Sequence, residues 1–526
     1  MLSSQAKDLS CPKSTEGNFK DLFWEVKEED NKTYIKLITK NNPLVESYEL
    51  HGNSILTAEN FSHILNPLLG KPFNCNLTLN ALLKILKLYR SKGFILAHIN
   101  NAKFEEKSNK LIIEINEGRI DTIATEGNIK TNERIITREF PLKKGDYFNY
   151  NDAKQGLTNL RSTNLFEQVE LLTENDNEKN NIYIRLIERP ASIVRLGFRI
   201  DNENYTQASV DIRNENFNGT GTEIGTIISG GIRTRSYIFE HKANRVFDTY
   251  LTYKVRAFYE FNDVNIYKDD TAAAFNKFIR NKVGEYRQIF YGGSFGIGTQ
   301  VKRFGNLLIE ARFQQDQIKN KSGYNLPTYK SIISALRFTL AIDSQNNYPY
   351  PTEGFLVKTF YETAQTALGG DIGYTKFYFD YKNTFSILKD HTLIFRGVLG
   401  FADNTLPLSQ QFSLGGQSSF LGMREYEYRG RQIFLTSLGY RYKLPVKLFF
   451  TTYLNLRYDI GSIWSQKEQI RFKDLRHGIG GTISFQTPIG PADFSFGKSF
   501  YIKNTLPNKT IVWSPTYFYF TIGYYY

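Results

Sequence analysis

The chain ends on Phe518-Tyr-Phe-Thr-Ile-Gly-Tyr-Tyr-Tyr526, a run that alternates with a period of two. Phe518, Phe520, Ile522, Tyr524 and Tyr526 share one face, and Tyr519, Thr521, Gly523 and Tyr525 share the other. Successive strand side chains point to opposite sides, so one side here is wholly apolar or aromatic. A soluble sheet can place such a strand in its core. A barrel in lipid must close on one, because an open edge leaves backbone groups unpaired in hydrocarbon.

The same period runs back to about residue 191. Leu251, Tyr253, Val255, Ala257, Tyr259 and Phe261 oppose Thr252, Lys254, Arg256, Phe258 and Glu260. Leu307, Ile309, Ala311 and Phe313 oppose Leu308, Glu310, Arg312 and Gln314. Phe377, Phe379, Tyr381, Phe385 and Ile387 oppose Tyr378, Asp380, Lys382, Thr384 and Ser386, with Asn383 the misfit. Polar residues inside and apolar residues outside invert the pattern of a soluble barrel. Residues 191–526, at about twenty residues per strand and connection, predict a transmembrane antiparallel β-barrel of about sixteen strands.

Composition agrees. No run of 18 or more apolar residues occurs, so no helix of the sequence spans a bilayer. Mean hydropathy is −0.40, which suits a barrel because only alternate strand residues meet lipid. The 34 Tyr and 41 Phe supply interfacial aromatic girdles. The net charge of +13 comes from basic residues spread along the chain, which argues against nucleic acid and for a basic lumen or contact with anionic lipid. Cys11 and Cys75 have no metal-ligand spacing and no evident partner, and the histidines form no His-x-x-x-His pair. The first residues lack the charged and apolar regions of a signal peptide, so either a signal has been removed or the chain begins inside a longer product.

The first 190 residues repeat with a period near 70 to 78. A turn and aromatic recur at Gly17-Asn18-Phe19, Lys92-Gly93-Phe94 and Asn164-Leu165-Phe166. A closing strand recurs at Tyr34–Ile38, Leu111–Ile115 and Tyr183–Ile187, and a Gly-Asn pair opens units at Gly52-Asn53 and Gly127-Asn128. Helical spacing lies between, on Leu79, Leu82, Leu83, Leu86 and Tyr89 and on Ala153, Leu157 and Leu160. Each unit reads strand, helix, helix, strand, strand. Such a unit leaves a sheet edge free to take an added strand.

These repeats resemble the POTRA (polypeptide-transport-associated) domain, down to the Tyr-x-x-x-Gly-Phe at Tyr89 to Phe94. The reading is α+β POTRA repeats at 44–118 and 119–190, a partial half-unit or N-terminal extension at 1–43, and the barrel at 191–526. Four barrel segments are similar to the BamA/TamA-like outer-membrane assembly-barrel superfamily, also called the bacterial surface antigen family. They are Asp343…Pro351-Thr352-Glu-Gly354, Asp459-Ile-Gly461-Ser-Ile-Trp464, Thr487-Pro488-Ile-Gly490-Pro491 and the closing aromatic strand. The Pro and Gly residues suit tight strand connections.

The family's long sixth loop folds into the lumen and carries Val-Arg-Gly-Phe/Tyr after Gly-Gly. The matching segment is Gly415-Gly416-Gln-Ser-Ser-Phe420-Leu421-Gly422-Met423-Arg424. Leu421 stands where family members pair an arginine with inner-wall carboxylates, and leucine has no donor for that. Arg424 and Arg429 are the candidates to take over. The resemblance implies an outer-membrane location in a Gram-negative-type bacterium with periplasmic POTRA domains. It implies a factor for assembly, insertion or transport of polypeptides, with POTRA edges capturing clients. The seam, where Val194-Arg-Leu-Gly197-Phe-Arg-Ile200 meets Phe518–Tyr526, would open sideways, weakened by Gly197 and Gly523. Implied partners are outer-membrane lipid and lipopolysaccharide, unfolded client polypeptides and accessory lipoproteins.

The alternative is the anchor and transport half of a patatin-type phospholipase encoded upstream, which the half-unit and Leu421 favour. Within this chain Gly292-Gly-Ser294-Phe-Gly296 matches Gly-x-Ser-x-Gly, but its surroundings read as strand rather than the strand-to-helix elbow that the chemistry needs. No cofactor or metal motif occurs, and the chain reads as no enzyme.

Overall fold

A computed structural model describes residues 17–29, 32–176, 179–270, 276–301, 305–447, 449–504 and 509–524. The chain divides into two units, Met1–Arg189 and Pro190–Tyr526.

The first unit begins with an antiparallel hairpin, β1 (Phe19–Glu29) and β2 (Lys32–Asn41). Asn42 ties the base of this hairpin to the first repeat, donating to the Gly17 carbonyl at 2.9 Å and the Phe73 carbonyl at 2.8 Å. Next come β3 (Ser47–His51), α1 (Ala58–Leu65), α2 (Cys75–Ser91), β4 (His98–Glu105) and β5 (Lys110–Asn116). The order repeats in β6 (Ile120–Glu126), α3 (Glu133–Thr137), α4 (Tyr150–Ser162), β7 (Phe166–Asp176) and β8 (Lys179–Glu188). In both sheets the closing strand is central and parallel to the first, giving β3-β5-β4 and β6-β8-β7.

One helical face differs from the expectation. The buried stripe of α2 is Thr78, Ala81, Leu82, Ile85 and Tyr89, while Leu83 is exposed. Apolar residues at adjacent positions fit two overlapping stripes, and packing on Leu111, Ile113 and Ile115 selects between them. Cys75 is also not partnerless. It is disulfide-bonded, and Cys11, outside the described residues, is the other cysteine of the chain.

The barrel opens with β9 (Ser192–Asp201), β10 (Tyr205–Phe217), β11 (Thr222–Gly231), β12 (Thr234–Ala243), β13 (Leu251–Asp269) and β14 (Arg280–Val301). It continues through β15 (Gly305–Gly323), β16 (Tyr329–Asp343), β17 (Gly354–Ala364), β18 (Tyr374–Leu388) and β19 (His391–Ala402). A long loop then carries the short pair β20 (Phe412–Leu414) and β21 (Tyr428–Gly430). The wall resumes with β22 (Gln432–Lys443), β23 (Thr451–Trp464), β24 (Arg476–Thr487) and β25 (Gly490–Asn504). β26 (Lys509–Trp513) and β27 (Tyr517–Tyr524) share one place beside β25, and β27 pairs back onto β9. The described strands thus close an antiparallel barrel of sixteen positions.

The alternation does what a lipid environment requires. Leu251, Val255, Tyr259, Leu307, Ile309, Phe313, Phe377, Phe385 and Ile387 lie exposed on the outer face. Inside, Asp316, Glu362, Asp459 and Ser499 are fully buried. Glu362 is neutralised by Arg312 at 2.8 Å and Arg337 at 2.6 Å and accepts the Tyr374 hydroxyl at 2.7 Å. A buried carboxylate is tolerated only with such partners.

Candidate functional site

The seam is short. Among described residues β27 meets β9 at Thr521–Asp201, Ile522–Ile200, Gly523–Arg199 and Tyr524–Phe198. Val194 and Gly197 pair instead with Ile212 and Ser209 of β10, and Phe518 and Phe520 with Phe496 and Phe494 of β25. Among the described residues the contact is therefore narrower than the stretches expected from sequence, and Tyr525 and Tyr526 lie outside them. Gly523 adopts φ +103°, and a Cβ there would sit 1.9 Å from the Phe198 carbonyl oxygen. A side chain would force the strands apart, so the glycine allows their close approach. Beyond the ladder, the Asn202 amide bridges the seam: Nδ2 donates to the Phe518 carbonyl at 2.9 Å and Oδ1 accepts from the Phe520 N–H at 3.3 Å.

The inner face of the seam strand grips the lumen loop. Tyr519, 3% exposed, accepts the Gly422 and Met423 N–H groups at 3.0 Å each and donates to the Met423 carbonyl at 2.7 Å. Thr521 donates to the Gln417 side chain at 2.7 Å. Ser499 on β25 donates to the Gly422 carbonyl at 2.6 Å. Phe420, Leu421 and Met423 are buried against the wall. Their seat is cut by glycines: a Cβ on Gly478 would meet the Leu421 oxygen at 2.5 Å, and one on Gly497 the Gly422 nitrogen at 2.8 Å. Gly422 itself would drive a Cβ to 2.2 Å from the Ser499 nitrogen, and Gly415 one to 2.1 Å from the Arg424 carbonyl. Gly416, with φ +95°, pairs with Phe420 to close the loop's tip.

Among the described residues, neither expected arginine pairs with a wall carboxylate. Arg424 lies over the Tyr267 and Tyr517 rings at 5.7 and 5.4 Å. Arg429 donates to the Tyr286 hydroxyl and, at 3.4 Å, to Gln288. The residue that sequence reasoning missed is Arg457, on the wall itself. Its Nε donates to Asp459 at 3.0 Å and its Nη1 to the loop's Gln417 carbonyl at 2.8 Å. The same Asp459 oxygen accepts the Leu421 N–H at 2.9 Å. The wall thus supplies the cation, and the loop contributes only backbone. Spacing offered a signal, since residues two apart on a strand share a face.

The remaining family turns gather near the same strands. Gly354, φ +99°, ends the connection that begins after Asp343, and its Cβ would lie 2.3 Å from the Ser344 oxygen. The connection 344–353 departs from a plain tight turn. It leaves β16 and β17 and reaches strands on the far side of the ring. The Tyr350 hydroxyl donates to Asp493 at 3.3 Å, its ring lies 4.4 Å from Tyr453, and Arg441 donates to the Pro351 carbonyl at 2.9 Å. Tyr348 stacks 6.1 Å from Tyr524 of the seam. Gly461 lets β23 approach Phe434, where a Cβ would fall 2.5 Å from its oxygen. The Pro488-Ile-Gly490-Pro491 turn joins β24 to β25, and Gly490, φ +118°, abuts Gly523. Ser294 lies within β14, and its buried hydroxyl has no hydrogen-bond partner among the described residues.

Comparison with known proteins matches this architecture. The Omp85 superfamily domain matches residues 216–525, and the POTRA family, described as the surface antigen variable number repeat, matches residues 119–189. Outer membrane protein assembly factor BamA of Nitratidesulfovibrio vulgaris is 22% identical over 436 residues, covering 78% of this chain and 53% of that protein. BamA of Neorickettsia risticii is 19% identical over 456 residues, covering 80% and 58%. The chain therefore spans little more than half the length of these relatives. The structure of BamA from Haemophilus ducreyi lacking POTRA domains 1–3 has a TM-score of 0.63 at 18% identity, covering 90% of this chain and 99% of that one. CdiB from Escherichia coli has a TM-score of 0.52 at 14% identity, covering 91% and 90%. Both structures are similar in fold. The matched relatives are named as assembly factors, not enzymes, and the patatin-type alternative gains no support from them.

Proposed function

The chain belongs to the Omp85 superfamily, and from that premise we propose that it assembles or translocates polypeptides at the outer membrane. Its barrel lies in the outer membrane and its POTRA repeats in the periplasm. Extended clients add to the free sheet edges at β3, β4, β6 and β7, where main-chain hydrogen bonds give affinity without sequence demand. They then meet the β9 edge as the seam parts. The observation that carries this reading is the seam of four register pairs among the described residues, in a wall where β26 and β27 together make eleven pairs on β25 and every other neighbouring pair of strands makes nine or more, up to nineteen for β13 on β14. A closed barrel has no free strand to template a client, so a short seam is the place where one becomes available. The partners are unfolded client polypeptides, membrane lipid including lipopolysaccharide, and accessory lipoproteins. The chain performs no catalytic chemistry of its own.

Reconstitution tests this. Proteoliposomes carrying the chain should accelerate heat-modifiable folding of a urea-unfolded outer-membrane barrel over empty liposomes of the same lipid. Equal rates with and without the protein would overturn the assembly reading.

A further inference from the structure

The outward face of β12 to β16 changes character where the strands leave the lipid band. β9 starts from the periplasmic side, so the connections after β11 and β15, at 232–233 and 324–328, lie at the outer rim. Tyr237, Tyr259 and Tyr291 are exposed on adjacent strands, with ring centroids 6.2 and 6.3 Å apart. Such a row of tyrosines marks the membrane interface. Two residues further toward the rim, about 7 Å along the strands, one register rung runs Arg235, Phe261, Ile289, Gln317 and Lys330. The outward rung beyond it aligns Asp263, Arg287 and Lys319. Arg235 and Arg287 both lie over the Phe261 ring, at 5.8 and 3.9 Å from its centroid. The last aromatic of this face is thus covered by cations and not offered to hydrocarbon.

The carboxylates of this face are already taken. Asp263 pairs with Arg287 at 2.7 Å and Lys321 at 2.8 Å, and Glu285 with Lys282 at 3.0 Å and Lys321 at 3.2 Å. Arg235, Lys319 and Lys330 are exposed and have no ion-pair partner among the described residues. Lys319 even stands opposite Arg287, a like-charge pairing that costs a ladder stability unless something offsets it. The next arc of the wall is built otherwise. Beyond the outward Tyr361, Phe377 and Phe401 of β17 to β19 come Thr363, Thr375 and Asp403. The surplus of cations therefore belongs to β12 to β16 and is not a general need of the interface.

We propose that this arc binds the phosphorylated head group of an outer-leaflet lipid, held by Arg235, Lys319 and Lys330. Guanidinium and ammonium donors one rung above the tyrosine row meet phosphate at head-group depth. The acyl chains of the same lipid then run down the apolar face below, where Phe295, Ile297, Ile309 and Phe313 are exposed. A soluble anion uses only the charges, whereas a lipid uses both features. The inference rests on the barrel's place in the outer membrane and gives the lipid partner proposed above a head-group class and a site.

The test is electron paramagnetic resonance of the full chain in phosphatidylcholine nanodiscs that carry a trace of chain-spin-labelled phosphatidic acid or, separately, spin-labelled phosphatidylcholine. The motionally restricted fraction reports lipid held at the wall. Phosphatidic acid should be held severalfold more tightly than phosphatidylcholine. Replacing Arg235, Lys319 and Lys330 together by glutamine should lower that preference about fivefold or more, the scale of a basic residue beside an anionic lipid. Lys467→Gln, in the loop after β23, leaves it unchanged. Lys319→Gln with Lys330→Gln, which keeps Phe261 covered, serves should the triple variant lose its heat-modifiable shift. Equal restriction of the two lipids, an unchanged preference in the folded variant, or equal loss in the Lys467 variant overturns the proposal. So does displacement of the labelled lipid by equimolar inorganic tripolyphosphate, which assigns the arc to a soluble anion. No client enters this measurement, so its outcome and that of the assembly test are read separately.

Discussion

At the scale of single residues, the lumen loop is held by a division of labour that differs from the family's. Asp459 receives Arg457 from its own strand and the Leu421 N–H from the loop. An arginine at position 421 would thus enter a seat whose carboxylate already pairs with Arg457 and whose glycine walls admit little bulk. Leu421→Arg should destabilise the barrel by about 1–3 kcal/mol from overpacking alone, read as an earlier loss of heat modifiability. Combining it with Arg457→Ala frees Asp459 and should recover most of that loss. Additive damage in the double variant would contradict the exchange. Tyr519→Phe removes the hydroxyl shared by the backbone of Gly422 and Met423. Leaving the two buried N–H groups unpaired should cost about 1–3 kcal/mol and render the loop cleavable by added protease. Unchanged protection would show that Tyr519 does not hold the loop. Alternation along the last strand placed Tyr519 opposite the lipid-facing residues, but not the loop it touches. That partner is nearly a hundred residues away in sequence, and no local pattern records it.

At the scale of elements, the two N-terminal repeats share a device that their period carried but composition did not advertise. After each Gly-Asn turn, a glutamate at the end of the closing strand, or one residue past it, caps the loop leading to the first helix. Glu117 accepts the Ser54 N–H at 2.7 Å and the Ile55 N–H at 2.8 Å, and Glu188 accepts the Thr131 N–H at 2.6 Å and the Lys130 N–H at 3.0 Å. Gly52 and Gly127 pass so close to the closing strand that a Cβ would fall 2.0 and 2.1 Å from its carbonyl oxygens. The Gly-Asn signal was legible because the turn needs φ above zero. The glutamates were not, because a carboxylate beside a strand end reads as ordinary surface charge. Burial alone would raise the Glu188 carboxyl, but hydrogen bonds from Thr131 and Lys130 outweigh it and hold the group below its usual range. A depressed folded value stabilises the charged, folded form above the unfolded value, and that stability is lost as pH falls through the folded one. Amide exchange at Lys130 and Thr131 in the full chain should therefore quicken, relative to the intrinsic rate, as pH falls below the ordinary glutamate value of about 4.3. Glu188→Gln should remove most of that dependence. An identical profile in the variant would sink the assignment.

At the scale of the whole molecule, the period-two alternation and the 70-to-78-residue repeat made both halves legible, because lipid outside and a wet lumen inside impose one simple rule on every strand. What alternation cannot encode is where the ring is weakest. The seam residues named from sequence spread over whole strands, yet among the described residues the register pairs only Phe198–Asp201 with Thr521–Tyr524. The lumen loop grips β27 through Tyr519 and Thr521, while among the described residues β9 has only the four register pairs and the Asn202 bridge across the gap. The central claim is that clients reach the membrane through this seam. Ile200 and Ile522 are register partners across it, so Ile200→Cys with Ile522→Cys, in a chain whose Cys11 and Cys75 are replaced, places one crosslink there. The measurement is client folding in proteoliposomes, oxidised and then reduced, with crosslinking confirmed on the same sample. Oxidation should stop assembly without unfolding the barrel, and reduction should restore it. Full client assembly across a fully oxidised seam would contradict lateral passage.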